Sequence, residues 1–232
     1  MTRNSRFTGS RLPDHRNGFL LLIAGGLGLL VAQVWNTVGP GGLTVPGLTP
    51  GGTWLAFHLG IEAIAVVLVF VGLLALRRGV ALTSRLERIG LAVTAAACIL
   101  LVPTHVLEHF VAVSLASGTI ALGSLAIPVE FGIGGLSYYV NWAVLAAGTF
   151  LLGVGGLLRE TFPLRVVVLF LLPATVGTVG GVLAAATGTY PFLGVHRLVH
   201  GMLWAGVGSH LYFGHERTTP TGSESRLEPD RE

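Results

Sequence analysis

Long apolar runs alternate along this chain with short clusters of arginine, glycine and proline. A helix that crosses a bilayer core needs about 20 mostly apolar residues. Six stretches meet that length: Gly18 to Val38, Trp54 to Leu76, Ile89 to Phe110, Tyr138 to Leu158, Leu164 to Thr187, and Phe192 to Phe213. The second stops at Arg77 and Arg78, the fourth at Arg159, and the sixth before His215, Glu216 and Arg217. The pattern predicts an all-α, polytopic membrane protein built as a six-transmembrane-helix bundle. The first run has no evident cleavage site and reads as a span rather than a secretory signal.

Arginine placement sets the expected orientation, because cytoplasmic loops carry the basic excess. All fourteen basic residues are arginines, and thirteen of them fall on one side of the six-span scheme. They occupy the first tail, the loop with Arg77, Arg78, Arg85 and Arg88, the turn with Arg159 and Arg165, and the last tail. Only Arg197 falls opposite. Both termini are therefore expected in the cytoplasm, in a cytoplasmic-membrane, multi-pass protein. This reading also removes the support that a net charge of +3 would lend to a nucleic-acid partner. The expected organisation is a cytoplasmic tail over residues 1–17, a membrane domain over 18–214, and a disordered cytoplasmic tail over 215–232. Residues 111–137 are apolar, but a seventh span there would turn the later arginines outward. Their Ser, Gly and Pro128 content suits an outer re-entrant or interfacial segment.

Composition narrows the class further. Of 232 residues, 52% are hydrophobic and 11% are charged, against about 25% charged in soluble domains. So few charges exclude a soluble enzyme and a disordered chain. The single cysteine, Cys98, excludes an intrachain disulfide and reads as an apolar filler.

Ionisable groups inside a membrane are expensive and mark function by default. In the six-span scheme His58 and Glu62 lie in the outer part of span two. His105, Glu108 and His109 lie at the outer end of span three, and His196, Arg197 and His200 at the outer start of span six. His58 and Glu62, His105 and His109, and His196 and His200 are each four apart, so each pair shares a helix face. Such a pair can grip one metal ion. Thr104–Phe110 also contains H-x-x-E-H, the inverzincin order, with Glu108 between two imidazoles. The leading reading is a transition metal ion (Zn, Cu or Fe) or one haem b in the outer leaflet. Its core ligands are His58, His105, His109 and His200; Glu62, Glu108 and His196 are second choices, as ligands or as groups orienting them. Redox or metal-dependent chemistry follows, with the lipid bilayer, other membrane subunits, a quinol or an extracytoplasmic electron carrier as partners. Two stacked haems are excluded: His196 and His210 are fourteen apart, but the matching positions on other spans are Gly72, Ala95 and Leu91. A histidine that merely ties helices together is the plain alternative for any single position. The glycines at 153, 155, 156, 177, 180 and 181 read as close-packing surfaces, and Trp35, Trp54 and Trp142 as an interfacial belt.

Three other functions fit parts of this pattern. A metal-dependent membrane hydrolase would use Glu108 or Glu62 as general base on a metal-activated water. A transporter, or a structural subunit of a membrane complex, would also carry buried polar residues. Finally, Gly135-Leu136-Ser137-Tyr138 at the start of span four, His58 on span two and His200-Gly201 on span six resemble the rhomboid intramembrane serine proteases. That resemblance implies Ser137 as nucleophile, His200 as base and His58 at the oxyanion site. The chain departs from the family at Tyr138, in place of the second glycine, and at Glu62, in place of an asparagine.

Overall fold

The computed structural model describes residues 15–38, 51–116, 133–187 and 192–216. They form six helices: α1 (His15–Val38), α2 (Gly51–Gly79), α3 (Arg85–Ala116), α4 (Ile133–Arg159), α5 (Leu164–Thr187) and α6 (Phe192–Glu216). Each helix grows from one of the six apolar runs. Four of them, α1 to α4, contain segments long and apolar enough to cross a membrane; the apolar part of α5 is shorter. α6 is a continuous helix whose apolar run is punctuated by His196, Arg197, His200 and His210. The third run was expected to close at Phe110, but α3 continues to Ala116, and α4 begins earlier than expected, at Ile133. The remainder of the proposed outer segment, 117–132, lies outside the described residues, as do most of the first tail and residues 217–232 of the last.

Local sequence sets the helix ends. Ser84 and Glu87 form a capping box at the start of α3: the Ser84 backbone N–H donates to Glu87 Oε2 at 2.7 Å, and the Glu87 N–H donates to Ser84 Oγ at 3.0 Å. α4 ends with Glu160 in the left-handed region (φ 55°). Thr161 N–H then reaches back to the Gly156 carbonyl at 3.1 Å, satisfying a carbonyl the helix end would orphan.

The helices form a closed ring. Each packs against its neighbours in chain order, and α6 closes the ring against α1. All neighbours are antiparallel. In α1 and α2, Gly18 meets Ala75 while Gly28 meets Ala65; in α3 and α4, Gly90 meets Leu152 while Thr94 meets Gly148. Small residues let these backbones approach closely. A side chain at Gly26 would collide with the Ala205 backbone and lie 2.6 Å from the Gly201 carbonyl. The glycines of α4 behave as expected: Gly153 faces Leu171, Gly155 faces Glu87, and Gly156 faces Phe162.

The outer surface is apolar and the interior mixed, the reverse of a soluble fold. Ile64, Leu158, Leu164 and Val182 are exposed, whereas His58, Glu62, His105, Asn141, His196 and His200 are buried. Leu22, Leu73, Leu101, Leu145, Leu152, Phe170 and Trp204 fill the interior.

Gly26 and Gly214 make opposite predictions. Gly26→Ala forces α1 and α6 apart and lowers stability by about 1–3 kcal/mol, the usual cost of overpacking. Nothing lies within 4 Å of a side chain at Gly214, so Gly214→Ala raises stability by up to about 1 kcal/mol through helix propensity. Thermal unfolding in detergent measures both.

Candidate functional site

The polar residues converge at one end of the ring, where α1 and α3 finish and α2, α4 and α6 begin. Arg16, Arg77, Arg78, Arg85, Arg88, Arg159 and Arg165 sit at the opposite helix ends, leaving Arg197 as the one described arginine beside the polar group.

Glu62 is the hub. Its side chain is 1% exposed, with Oε1 3.4 Å from Arg197 Nε and 4.0 Å from His105 Nε2. Oε2 lies 3.3 Å from His58 Nε2 and receives no hydrogen bond. The helical repeat explains the His58–Glu62 contact, since residues four apart stack on one face. Arg197 comes from α6, which does not pack beside α2 in the ring, so the ion pair crosses the interior.

The tautomer of His58 follows from its neighbours. Its Nδ1 lies 2.8 Å from the Ala32 carbonyl on α1, which can only accept, so Nδ1 carries the proton. Nε2 then accepts from Arg197 at 3.1 Å. Both ring nitrogens of His58 are thus engaged by protein groups. Nε2 also lies 3.3 Å from Glu62 Oε2, close enough for attraction but not in hydrogen-bond geometry.

A second group lies beside the first. Trp142, on α4, is 2% exposed. Its ring centroid is 5.1 Å from that of His200, 6.0 Å from His196 and 6.5 Å from His105. The expected interfacial role of Trp142 is therefore corrected: it points into the bundle and joins histidines from two helices. Asn141 donates to Thr104 Oγ at 3.3 Å and so ties α4 to α3 one residue from His105. Trp35 and Trp54 have side chains outside the described set.

His200 is fully buried, and neither ring nitrogen has a hydrogen-bond partner. His196 stacks edge-on against it, 4.7 Å between centroids. The Pro173 carbonyl on α5 accepts a hydrogen bond from the His196 ring, while Nε2 has no partner. Gly177 makes room for this ring: a side chain there would come within 3.2 Å of His196 Nε2. A buried polar atom without a partner costs about 1–3 kcal/mol, so the unpaired nitrogens of His196 and His200 are the least satisfied polar groups of the centre.

The expected set of residues thus divides. His58 and Glu62 join Arg197, with His105 on the Glu62 side, and His196 and His200 join Trp142. Glu108 and His109 lie on α3, but their side chains are outside the described set, as is that of Ser137. Among the described residues no three of His, Cys, Asp and Glu form a group able to hold one metal ion. Sequence reasoning set Arg197 aside as the topological exception. Its position next to His196 and three before His200 was the available signal. For Trp142 the signal was its neighbour Asn141, a polar residue at the start of the fourth apolar run.

Glu62→Ala leaves Arg197 facing a buried space without its carboxylate and lowers stability by about 3–5 kcal/mol. Replacing both members, as Glu62→Ala with Arg197→Leu, recovers part of that loss. Melting temperatures of the two single variants and the double variant test this, and a double variant no more stable than Glu62→Ala speaks against the pair.

Compared with models of known families, with curated proteins and with solved structures, the chain matches none at a significant level. The centre is therefore interpreted from its own residues.

Proposed function

We propose that this chain is a six-span protein of the cytoplasmic membrane, with both termini inside, and that its outer-leaflet centre carries out proton-coupled redox chemistry on a histidine-bound metal. His196 and His200 supply the ligands that the described residues offer, and Trp142 the wall of the site. The Glu62, His58 and Arg197 cluster handles the proton.

One observation carries the reading. His200 is a fully buried imidazole with both nitrogens unpaired. A metal ion satisfies such a nitrogen, and the neighbouring His196 is prepared in the manner of a ligand. A ligating histidine usually gives its other ring N–H to a carbonyl or carboxylate, and the Pro173 carbonyl serves His196 in this way. The pair shares one helix face at the spacing that suits joint ligation. Imidazole donors suit copper, iron and zinc, and proton-coupled redox chemistry favours copper or iron. A bare ion fits this packing better than haem, because a flat macrocycle between His105 and His200 would have to displace Trp142, whose ring touches both. The membrane assignment rests on the apolar helices and the arginine-rich end opposite the centre.

Elemental analysis and an absorption spectrum of the detergent-purified protein test this together. Copper or iron is expected at about one ion per chain, lost in His200→Ala and sharply reduced in His196→Ala, with the melting curve of His200→Ala still cooperative. A Soret band that vanishes in His200→Ala replaces the bare ion by haem. Absence of both metal and Soret band from protein isolated without chelators overturns the proposal.

A further inference from the structure

The end of the ring opposite the polar centre carries a second feature, the turn from α2 to α3. Four arginines lie within twelve residues there: Arg77 and Arg78 in the last turn of α2, Arg85 and Arg88 at the start of α3. All four are exposed. Among the described residues none of them forms an ion pair. The turn that carries them is fixed: the Val80 N–H donates to the Leu76 carbonyl at 3.0 Å, and Val80 and Leu82 pack against the core. Its one acid is turned inwards. Glu87 is 0% exposed, with its carboxylate spent on the Ser84 N–H. Gly155 on α4 leaves the room for it, since a side chain there would lie 2.7 Å from Glu87 Cγ. The run Arg85-Leu86-Glu87-Arg88 thus sends its positive charges outward and its negative charge inward. Arginines at the start of α3 also add to the positive end of the helix dipole, which favours an anion nearby. Finally, the arginines end apolar columns. Leu74 and Arg78 are four apart on α2, as are Arg85 and Ile89 on α3, so each pair shares a helix face. Leu74 is 38% exposed and Ile89 41%. On two adjacent helices an exposed apolar residue lies one turn below an exposed guanidinium.

We infer that this turn binds an anionic phospholipid, with the head-group phosphate against the guanidiniums of Arg78 and Arg85 and an acyl chain along Leu74 and Ile89. The phosphate supplies the counter-charge that the turn itself has turned inward, and a guanidinium takes a phosphate through paired hydrogen bonds. The apolar columns decide the class of partner. A nucleic acid or an acidic protein segment answers the charge but has nothing to lay along Leu74 and Ile89. A zwitterionic lipid matches the columns, but its own ammonium group offsets its phosphate. An anionic lipid meets both conditions, and arginines at the edge of a bilayer attract such lipids. The inference rests on the membrane assignment proposed above and is independent of the metal.

Native mass spectrometry of the detergent-purified full chain, titrated with phosphatidylglycerol and phosphatidylcholine of matched acyl chains, tests this. The first phosphatidylglycerol is expected to bind about fivefold or more tightly than the first phosphatidylcholine, as one basic contact with an anionic head group predicts. Arg78→Gln with Arg85→Gln, both at exposed positions, removes most of that preference. Arg159→Gln with Arg165→Gln takes the same charge from another part of this end and leaves most of it. Equal affinity for the two lipids overturns the inference, as does a preference that survives the Arg78 and Arg85 pair. An equal loss in both double variants also overturns it, because the preference then belongs to the whole basic end and not to this turn. Binding of a short oligonucleotide that the Arg78 and Arg85 pair abolishes, with no lipid preference, assigns the turn to a soluble polyanion instead. A chain recovered from cells without detergent overturns the membrane assignment and this inference together, whereas a membrane-extracted chain without lipid preference overturns this inference alone.

Discussion

A ring of six helices leaves an axis that contacts between neighbours do not fill, and at one end of this bundle the axis is closed by charge. The Glu62–Arg197 pair links α2 to α6, which are not neighbours in the ring. His58 extends the link to the α1 backbone through Ala32, and His105 adds α3. Four of the six helices are held by one carboxylate and its partners. In surroundings of low polarity such a cluster is stable only when its partners are in place, because Glu62 left alone is a buried, unpaired charge. The cluster therefore fixes the relative positions of these helices as well as their contact. That accuracy is what lets Trp142, His196 and His200 meet beside it.

The helices were legible because their apolar runs are long and are bounded by arginine, glycine and proline. Their ends were less legible. α3 passes its expected end by six residues because the sequence after Phe110 stays apolar and holds no helix breaker before Ala116. Pro103, inside the same helix, does not end it. The alternating direction of the helices puts His58, Glu62, His105, His196 and His200 at one end of the ring. Which partner each would choose was not readable. That choice depends on helix rotation across the ring, which a one-dimensional pattern does not encode. Arg197 shows this most clearly: as a charge on the wrong side it argued against itself, yet it is the counterion Glu62 requires. Trp142 shows the same limit, since an aromatic residue at a helix end can face lipid headgroups or the bundle interior, and the pattern of α4 permits both.

Polarity along the axis argues for a centre that exchanges with one side only. Beyond the cluster, towards the arginine-rich end, the interior passes to Leu22, Leu73, Leu101, Leu145, Leu152, Phe170 and Trp204, all essentially inaccessible. The two buried threonines in that region spend their hydroxyls on their own helices: Thr94 donates to the Gly90 carbonyl and Thr149 to the Ala146 carbonyl. Among the described residues, no chain of hydrogen-bonding groups continues from Glu62 to the far end. The described interior beyond the cluster is therefore an apolar barrier to a charge moving towards the arginine-rich end. Alternating access would require polar groups near the midplane to meet a substrate from both sides, and the described side chains that fill the middle of this bundle are mostly apolar. The described interior is thus polar at the end where α2, α4 and α6 begin and apolar beyond it.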